Sequence, residues 1–407
     1  MKIKELIKSL GPGFIIASVV LGPGSIAVAS SVGSENGYSF LWVIVMAAIC
    51  MMVYTSMAVR FGLTNKESIL QTIANTYGRW FAMIIGVSSF ISASCFQFGN
   101  NLGIGIGMEG ITGIDERIWP VVFTVLAIVL LFWAKNLYKV LEKLMMFLVM
   151  IMIVAFLVNL LLTRPDMVEV VKGFSPLSFN LKNMDVISAL VATTFAINGA
   201  IYQSYLVKDK GWKIDHLQRG VNESNMGVFF LALISMLIII TSAAALHPQG
   251  ISVRSAADMA IQLEALFGSY AKVIFSLGLC AAAFSSLMVN AVIGGGLLSD
   301  GFGMGRSMNQ KMPKVFTAII LILGMLVAVF FRGDVIYALI LAQASTILAV
   351  PFIAGGMYLI LNNRKIMGKF RNTKKQNLLA VFGFVLIVVM VYFLVMKLST
   401  LVGSVIN

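Results

Sequence analysis

Two short stretches carry the residues on which chemistry inside this apolar chain could be built. Gly22-Pro23-Gly24-Ser25 lies within the apolar run 12–33. Proline removes a backbone donor and clashes with the preceding turn, and flanking glycines remove the steric brake on unwinding. Thr193-Thr194-Phe195-Ala196-Ile197-Asn198-Gly199 puts a polar Asn-Gly pair in the middle of a second apolar run, 184–206. An interrupted helix exposes peptide groups that hydrocarbon cannot satisfy, so other protein, water or a ligand must. Both stretches are therefore places to hold a small molecule or ion. The binding groups would be the backbone at Gly22, Pro23 (through its carbonyl), Gly24, Ala196, Ile197 and Gly199, with the side chains of Ser25, Thr193, Thr194 and Asn198. Gln203 and Gln343 join them, with Gln97, Asn100 and Asn101 as additional members. A bound metal ion would use Ser25, Asn198 and Gln343.

Chemistry that requires charge has no such home. Glu35, Glu109, Glu142, Asp185 and Asp300 fall near the ends of apolar runs, and His216 and His247 fall in connections. Proton relays through membranes use buried carboxylates or histidines, and soft divalent ions are selected by sulfur or imidazole. Metalloprotease spacing, paired aspartates and a base for a serine nucleophile are all missing, so the chain is not expected to be an enzyme or to need a cofactor. Gly103-x-Gly105-x-Gly107-x-x-Gly110 imitates a dinucleotide fingerprint, but no strand precedes it, and close helix packing explains it better. Cys50, Cys95 and Cys280 lie in apolar runs without metal-like spacing.

The elements that must position these residues follow from composition. Of 407 residues 59% are hydrophobic and only 12% charged, about half the charged share of a soluble chain. That excludes a soluble enzyme, a nucleic-acid-binding domain and a disulfide-stapled secreted module. The expected fold is an all-α polytopic membrane protein whose main partner is the lipid bilayer. Apolar runs near 12–33, 38–61, 80–108, 118–134, 144–163, 184–206, 225–246, 268–298, 314–331, 334–361 and 378–400 give about 11 transmembrane helices, at ~20 residues each.

The net charge of +13 is a topology signal. With the N-terminus cytoplasmic, 22 of the 30 Lys and Arg fall on inner segments, which places the C-terminus outside. The cluster Arg364-Lys365…Lys369…Arg371…Lys374-Lys375 reads foremost as a topology anchor, with anionic lipid headgroups as the second reading. Because the two interrupted runs are the first and the sixth, the pattern is that of an inverted 5+5 repeat with its site at the midplane. The units would be 1–163, 164–361 and a basic linker with an eleventh helix, 362–407.

At these residues the chain resembles the NRAMP family of proton-coupled divalent-metal transporters, which have eleven spans and a leucine-transporter-like core. The family's Asp-Pro-Gly-Asn, followed by Gly-Tyr and a hydrophobic-Leu-Trp stretch, is matched by Gly22-Pro23-Gly24-Ser25, Gly37-Tyr38 and Phe40-Leu41-Trp42. Its Met-Pro-His-Asn and later Ser-x-Leu-Val are matched by Ala196-Ile197-Asn198-Gly199 and Ser204-Tyr205-Leu206-Val207. Ser285-Ser286, Gly296, Gly301-Phe302 and Gln343 with Pro351 extend the likeness over essentially the whole chain. On this resemblance Gly22 stands at the metal-binding Asp, Ser25 at the Asn, Ala196 at the Met, and Asn198 and Gln203 at histidines. Only Gln343 keeps a family ligand type. The resemblance implies a secondary transporter of a divalent cation, Mn2+, Fe2+ or hydrated Mg2+, in a prokaryotic inner membrane. The donor set by itself favours a small neutral or zwitterionic organic solute, and a sensor that has lost transport is the third reading.

Overall fold

The computed structural model describes residues 22–132, 147, 150, 151, 153–176 and 183–406. Residues 12–21 of the first interrupted run lie outside the described residues, as do Lys2, Lys4, Lys8, Lys135, Lys139, Lys143 and Lys182. Among the described residues all regular structure is helical. The helices used below are α1 (Pro23–Asn36), α2 (Leu41–Thr64), α3 (Ile69–Tyr77), α4 (Arg79–Thr112), α5 (Ile118–Phe132) and α6 (Ile153–Thr163). They continue as α7 (Met184–Thr194), α8 (Ile197–Asp209), α9 (Leu217–Ala245), α10 (Ala271–Gly301) and α11 (Lys311–Phe330). The last three are α12 (Val335–Ser345), α13 (Val350–Asn362) and α14 (Lys374–Ile406). Among the described residues eight helical stretches are long and apolar enough to cross a bilayer, counting α7–α8 and α12–α13 as one each; α5 and α6 are shorter apolar helices.

Burial sorts these helices into a centre and a rim. Every residue of α1 from Pro23 to Ser34 is buried, so this helix has no lipid-facing side and sits in the middle of the bundle. It packs on α4, α7, α9, α10 and α12. The approach to α9 is close enough that a Cβ on Gly33 would lie 2.4 Å from the Ile239 carbonyl oxygen. By contrast only 33% of the apolar window of α11 and 28% of that of α14 is buried, and these two face outward with Leu326, Val327, Val385 and Tyr392 exposed.

The longest seam joins α4 and α10, and small residues make it. A Cβ on Gly294 would meet that of Ala93 at 2.4 Å, and one on Gly301 would meet the Ala82 carbonyl at 2.7 Å. The glycine series at 103–110 is packing of this kind. Gly107 abuts Ser276 and Cys280, Gly110 abuts Ser276, Gly105 abuts Glu116 and Gly103 abuts Pro23. Met288 belongs to an apolar cluster with Phe284, Leu287 and Ile320.

Candidate substrate site at the helix breaks

Helix α1 begins at Pro23, with Gly22 extended before it (φ −96°, ψ 175°). Pro at the first helical position costs no hydrogen bond, because the opening N–H groups of a helix have no partner within it. No side chain caps this end and no acidic residue stands in its first turn. Three glycines let other helices close around it. A Cβ on Gly22 would lie 3.0 Å from both Asn100 Oδ1 and Ser286 Oγ, one on Gly24 2.2 Å from Gln343 Nε2, and one on Gly103 2.1 Å from Pro23 Cβ. The start of α1 thus gathers α4, α10 and α12 around 22–25.

The polar atoms here are only partly used. Gln343 is fully buried, and neither its Nε2 nor its Oε1 has a hydrogen-bond partner among the described residues. Asn100 Nδ2 donates to Gln97 Oε1 at 3.0 Å, leaving Asn100 Oδ1 unbonded. Gln97 in turn donates to the Leu287 carbonyl of α10. Asn101 is taken up elsewhere: its Nδ2 donates to the Gln97 carbonyl and its Oδ1 accepts from Thr124 of α5. Ser25 is buried with the rest of α1.

The second break lies slightly earlier than its sequence suggests. Helix α7 ends at Thr194, and Phe195 (φ −92°, ψ 65°) and Ala196 (φ −76°, ψ 82°) turn the chain before α8 starts at Ile197. Both residues sit near the inverse γ-turn minimum, a bend that no residue type advertises. Of the expected break at 196–199, Ala196 lies in the turn, whereas Ile197, Asn198 and Gly199 form the first turn of α8. That end too lacks a side-chain cap and an acidic residue. Thr194 Oγ1 and Asn198 Oδ1 are buried and unbonded, whereas Thr193 Oγ1 donates to the Leu190 carbonyl. Asn198 Nδ2 donates to the Ser89 carbonyl of α4 at 3.3 Å. A Cβ on Gly199 would meet nothing nearer than Met51 Cε at 3.9 Å, and Gln203 is buried one turn further along α8.

Ser89 and Asn100 are about 16 Å apart along α4, at 1.5 Å per residue. The two breaks therefore address different levels of that helix, with Gly22, Gly24, Asn100 and Gln343 at one and Asn198 at the other. Sequence reading missed Gly99, whose Cβ would lie 3.3 Å from Gln343 Nε2. It also missed a third interruption. The 3-10 turn Thr346–Ala349 separates α12 from α13, directly before Pro351. A proline ring clashes with the carbonyl four residues back and removes one ladder bond, so Pro351 was the available signal. Gln343 stands at the end of the helix this turn releases.

Among the described residues no three His, Cys, Asp or Glu side chains gather to hold a metal ion. Charge stays at the ends. Tyr205 donates to Asp300 Oδ2 at 2.6 Å near one face. At the other face burial, then Glu109 and Asp115, raises the carboxyl of Glu116 above its ordinary pKa.

A sequence model of natural resistance-associated macrophage protein-like chains, the Nramp family, matches residues 13–397. The chain belongs to the Nramp family. Among similar Nramp proteins is the divalent metal cation transporter MntH of Nostoc, 25% identical over 384 residues that cover 91% of this chain and 86% of the relative. The MntH of Deinococcus radiodurans is 25% identical over 96% of this chain and 89% of its own. The manganese transporter of Eremococcus coleocola superposes with a TM-score of 0.80 at 18% identity, covering 98% of this chain and 87% of that one. Mhp1, a nucleobase-cation-symport-1 family transporter, superposes at 0.61 with 13% identity, over 95% and 89%. This Nramp chain is thus an integral membrane transporter with the leucine-transporter-like fold.

Proposed function

We propose that the chain carries a small carboxylate-bearing organic solute, amino-acid-like in size, through the bilayer by alternating access. The observation behind this is the pairing of two uncapped, acid-free helix N-termini, α1 at Pro23 and α8 at Ile197, with a donor set made only of amides, hydroxyls and peptide groups. A helix N-terminus carries a partial positive charge and free N–H groups, which favour an anion. Gln343 and Asn100 would hold the solute's polar groups near Gly22, and Thr194, Asn198 and Gln203 would face it from the second break. A separation of about 16 Å along α4 suits a solute that moves past both levels better than one dehydrated ion, whose ligands lie only about 2–2.6 Å away.

A second reading is favoured by the relatives, which are named as divalent metal cation transporters. A hydrated divalent cation would use Ser25, Asn198 and Gln343 with water. On either reading 1–163 and 164–361 act as inverted halves, 362–407 adds the eleventh helix, and the N-terminus faces the cytoplasm of a prokaryotic cell. On the family resemblance, Gly22, Ser25, Ala196 and Asn198 stand at the family's Asp, Asn, Met and His, and proton coupling is expected to be weak.

The test is direct binding and uptake in proteoliposomes with Mn2+, Mg2+ and a panel of amino acids and small carboxylates. Saturable uptake of an organic solute that is lost in Gln343→Ala supports the proposal. Millimolar or tighter Mn2+ or Mg2+ binding that Gln343→Ala abolishes overturns it in favour of the cation. Gly22→Asp with Ala196→Met restores a carboxylate and a thioether; on the cation reading it should create Mn2+ affinity, and on the organic-solute reading, with the breaks at separate levels of α4, it should not.

A further inference from the structure

The basic face holds a crevice of about 810 Å³ that the transport reading does not use. Four separate connections build it: the end of α2 through Lys66, the end of α8 through Lys213, the α10–α11 turn at Arg306, and the α13–α14 linker. Its lining includes Lys66, Lys208, Lys213, Arg306, Lys365 and Lys369 and no Asp or Glu. None of these six forms an ion pair among the described residues. The acids of this face stay outside that lining, although Asp209 lies within electrostatic reach of Lys208 and Arg306. Glu223 takes both Lys210 (3.7 Å) and Arg219 (2.8 Å), and Glu67 and Asp300 line an adjoining hollow.

The crevice is also held in shape. Arg60 donates to the carbonyls of Phe370 (3.0 Å) and Arg371 (3.3 Å) and to Asn372 Oδ1 (2.8 Å), which fixes the linker against α2. Asn65 Nδ2 reaches Met367 Sδ at 3.5 Å, and Lys208 Nζ donates to the Glu67 carbonyl. Cations that only set topology need to be on one side of the bilayer, not converged from four connections into one preformed hollow, where they repel each other.

We propose that this crevice is a binding site for a phosphate-bearing anion. Lysines act as point-charge donors to phosphate oxygens, and their convergence from both halves of the sequence means that an occupant ties the linker to the α8–α9 and α10–α11 turns. The occupant is either a soluble phosphate compound or the headgroup of an anionic lipid, and the two are separable by experiment.

Full-length protein in neutral detergent is titrated calorimetrically with inorganic phosphate and pyrophosphate in one arm and with dioctanoyl phosphatidylglycerol in the other. Saturable binding in at least one arm is expected, weakening with added salt. Binding in the first arm assigns the soluble source, and binding only in the second assigns the lipid. Lys365→Gln/Lys369→Gln should weaken binding at least about tenfold, which at about 1.4 kcal/mol per decade is one decade of lost affinity. Lys374→Gln/Lys375→Gln removes the same charge from the start of α14, outside the crevice, and should change it less than about twofold. Absence of binding in both arms overturns the proposal, and so does equal weakening by the two pairs. A melting temperature unchanged in both pairs shows that folding is not what was measured.

Discussion

The contact between Gly24 and Gln343 gives the sharpest test of the site's geometry. In Gly24→Ala the new Cβ would stand 2.2 Å from Gln343 Nε2 and 2.6 Å from its Cδ, where ordinary contact begins at 3.4 Å, so the amide must retreat by about 1.2 Å. Gln343 is fully buried and has no open side to retreat to. Overpacking of a dense interior costs about 1–3 kcal/mol, and the lack of free space puts Gly24→Ala toward the upper end. That corresponds to a factor of roughly 5 to 150 in any equilibrium requiring the closed arrangement. Gln343→Ala removes the obstacle, so Gly24→Ala should be nearly harmless in its presence. The double-mutant cycle should show a favourable coupling of at least about 1 kcal/mol. Stability of all four members is read by thermal unfolding in detergent, and uptake in liposomes is read in parallel. Stability should recover in the double mutant while uptake does not. If the two single costs add to within about 0.5 kcal/mol, the residues do not touch and the arrangement around α1 is wrong.

Further predictions concern three other contacts. Gly103→Ala places a Cβ 2.1 Å from Pro23 and should lower stability by about 1–3 kcal/mol, whereas the same change at Gly113, which has nothing within 4 Å but a φ of +72°, acts only through backbone strain. Arg60→Ala loses three charge-assisted bonds to the α13–α14 linker, which should cost about 2–3 kcal/mol; tryptic cleavage within 369–375 should accelerate, and an unchanged rate would refute the clamp. Glu116 has a folded-state pKa above its ordinary value of 4.5, so the folded chain binds that proton more tightly and stability falls as pH rises through this window. Glu116→Gln should therefore raise the melting temperature at pH 7 and leave it unchanged below pH 4.

How far the sequence carried this picture depends on what each residue type can signal. Gly22-Pro23 marked the start of α1 because proline is a stereochemical event that survives any tertiary context. Pro351 carried the same kind of signal, yet the 3-10 turn before it escaped notice because the surrounding run is uniformly apolar. The bend at Phe195 and Ala196 meets the expected break at 196–199 only at Ala196, since both residues are ordinary in helices and only their dihedral angles fix the place. Asn198 was read correctly as polar and buried, but its use to reach Ser89, about three turns from Asn100, depends on helix placement that no local pattern encodes. The crevice on the basic face was legible only as charge. That four connections converge there is a property of the fold.

The converged cations also act on the solution beside them. Six positive groups in one crevice, with no acid in its lining, raise the potential over about 8 Å at physiological salt. An anion approaching that face is concentrated beside it, and a divalent cation meets a barrier that counts twice for its two charges. The crevice thereby sorts solutes by sign before any contact forms. Association of anions at this face should be fast at low salt and should slow as ionic strength rises.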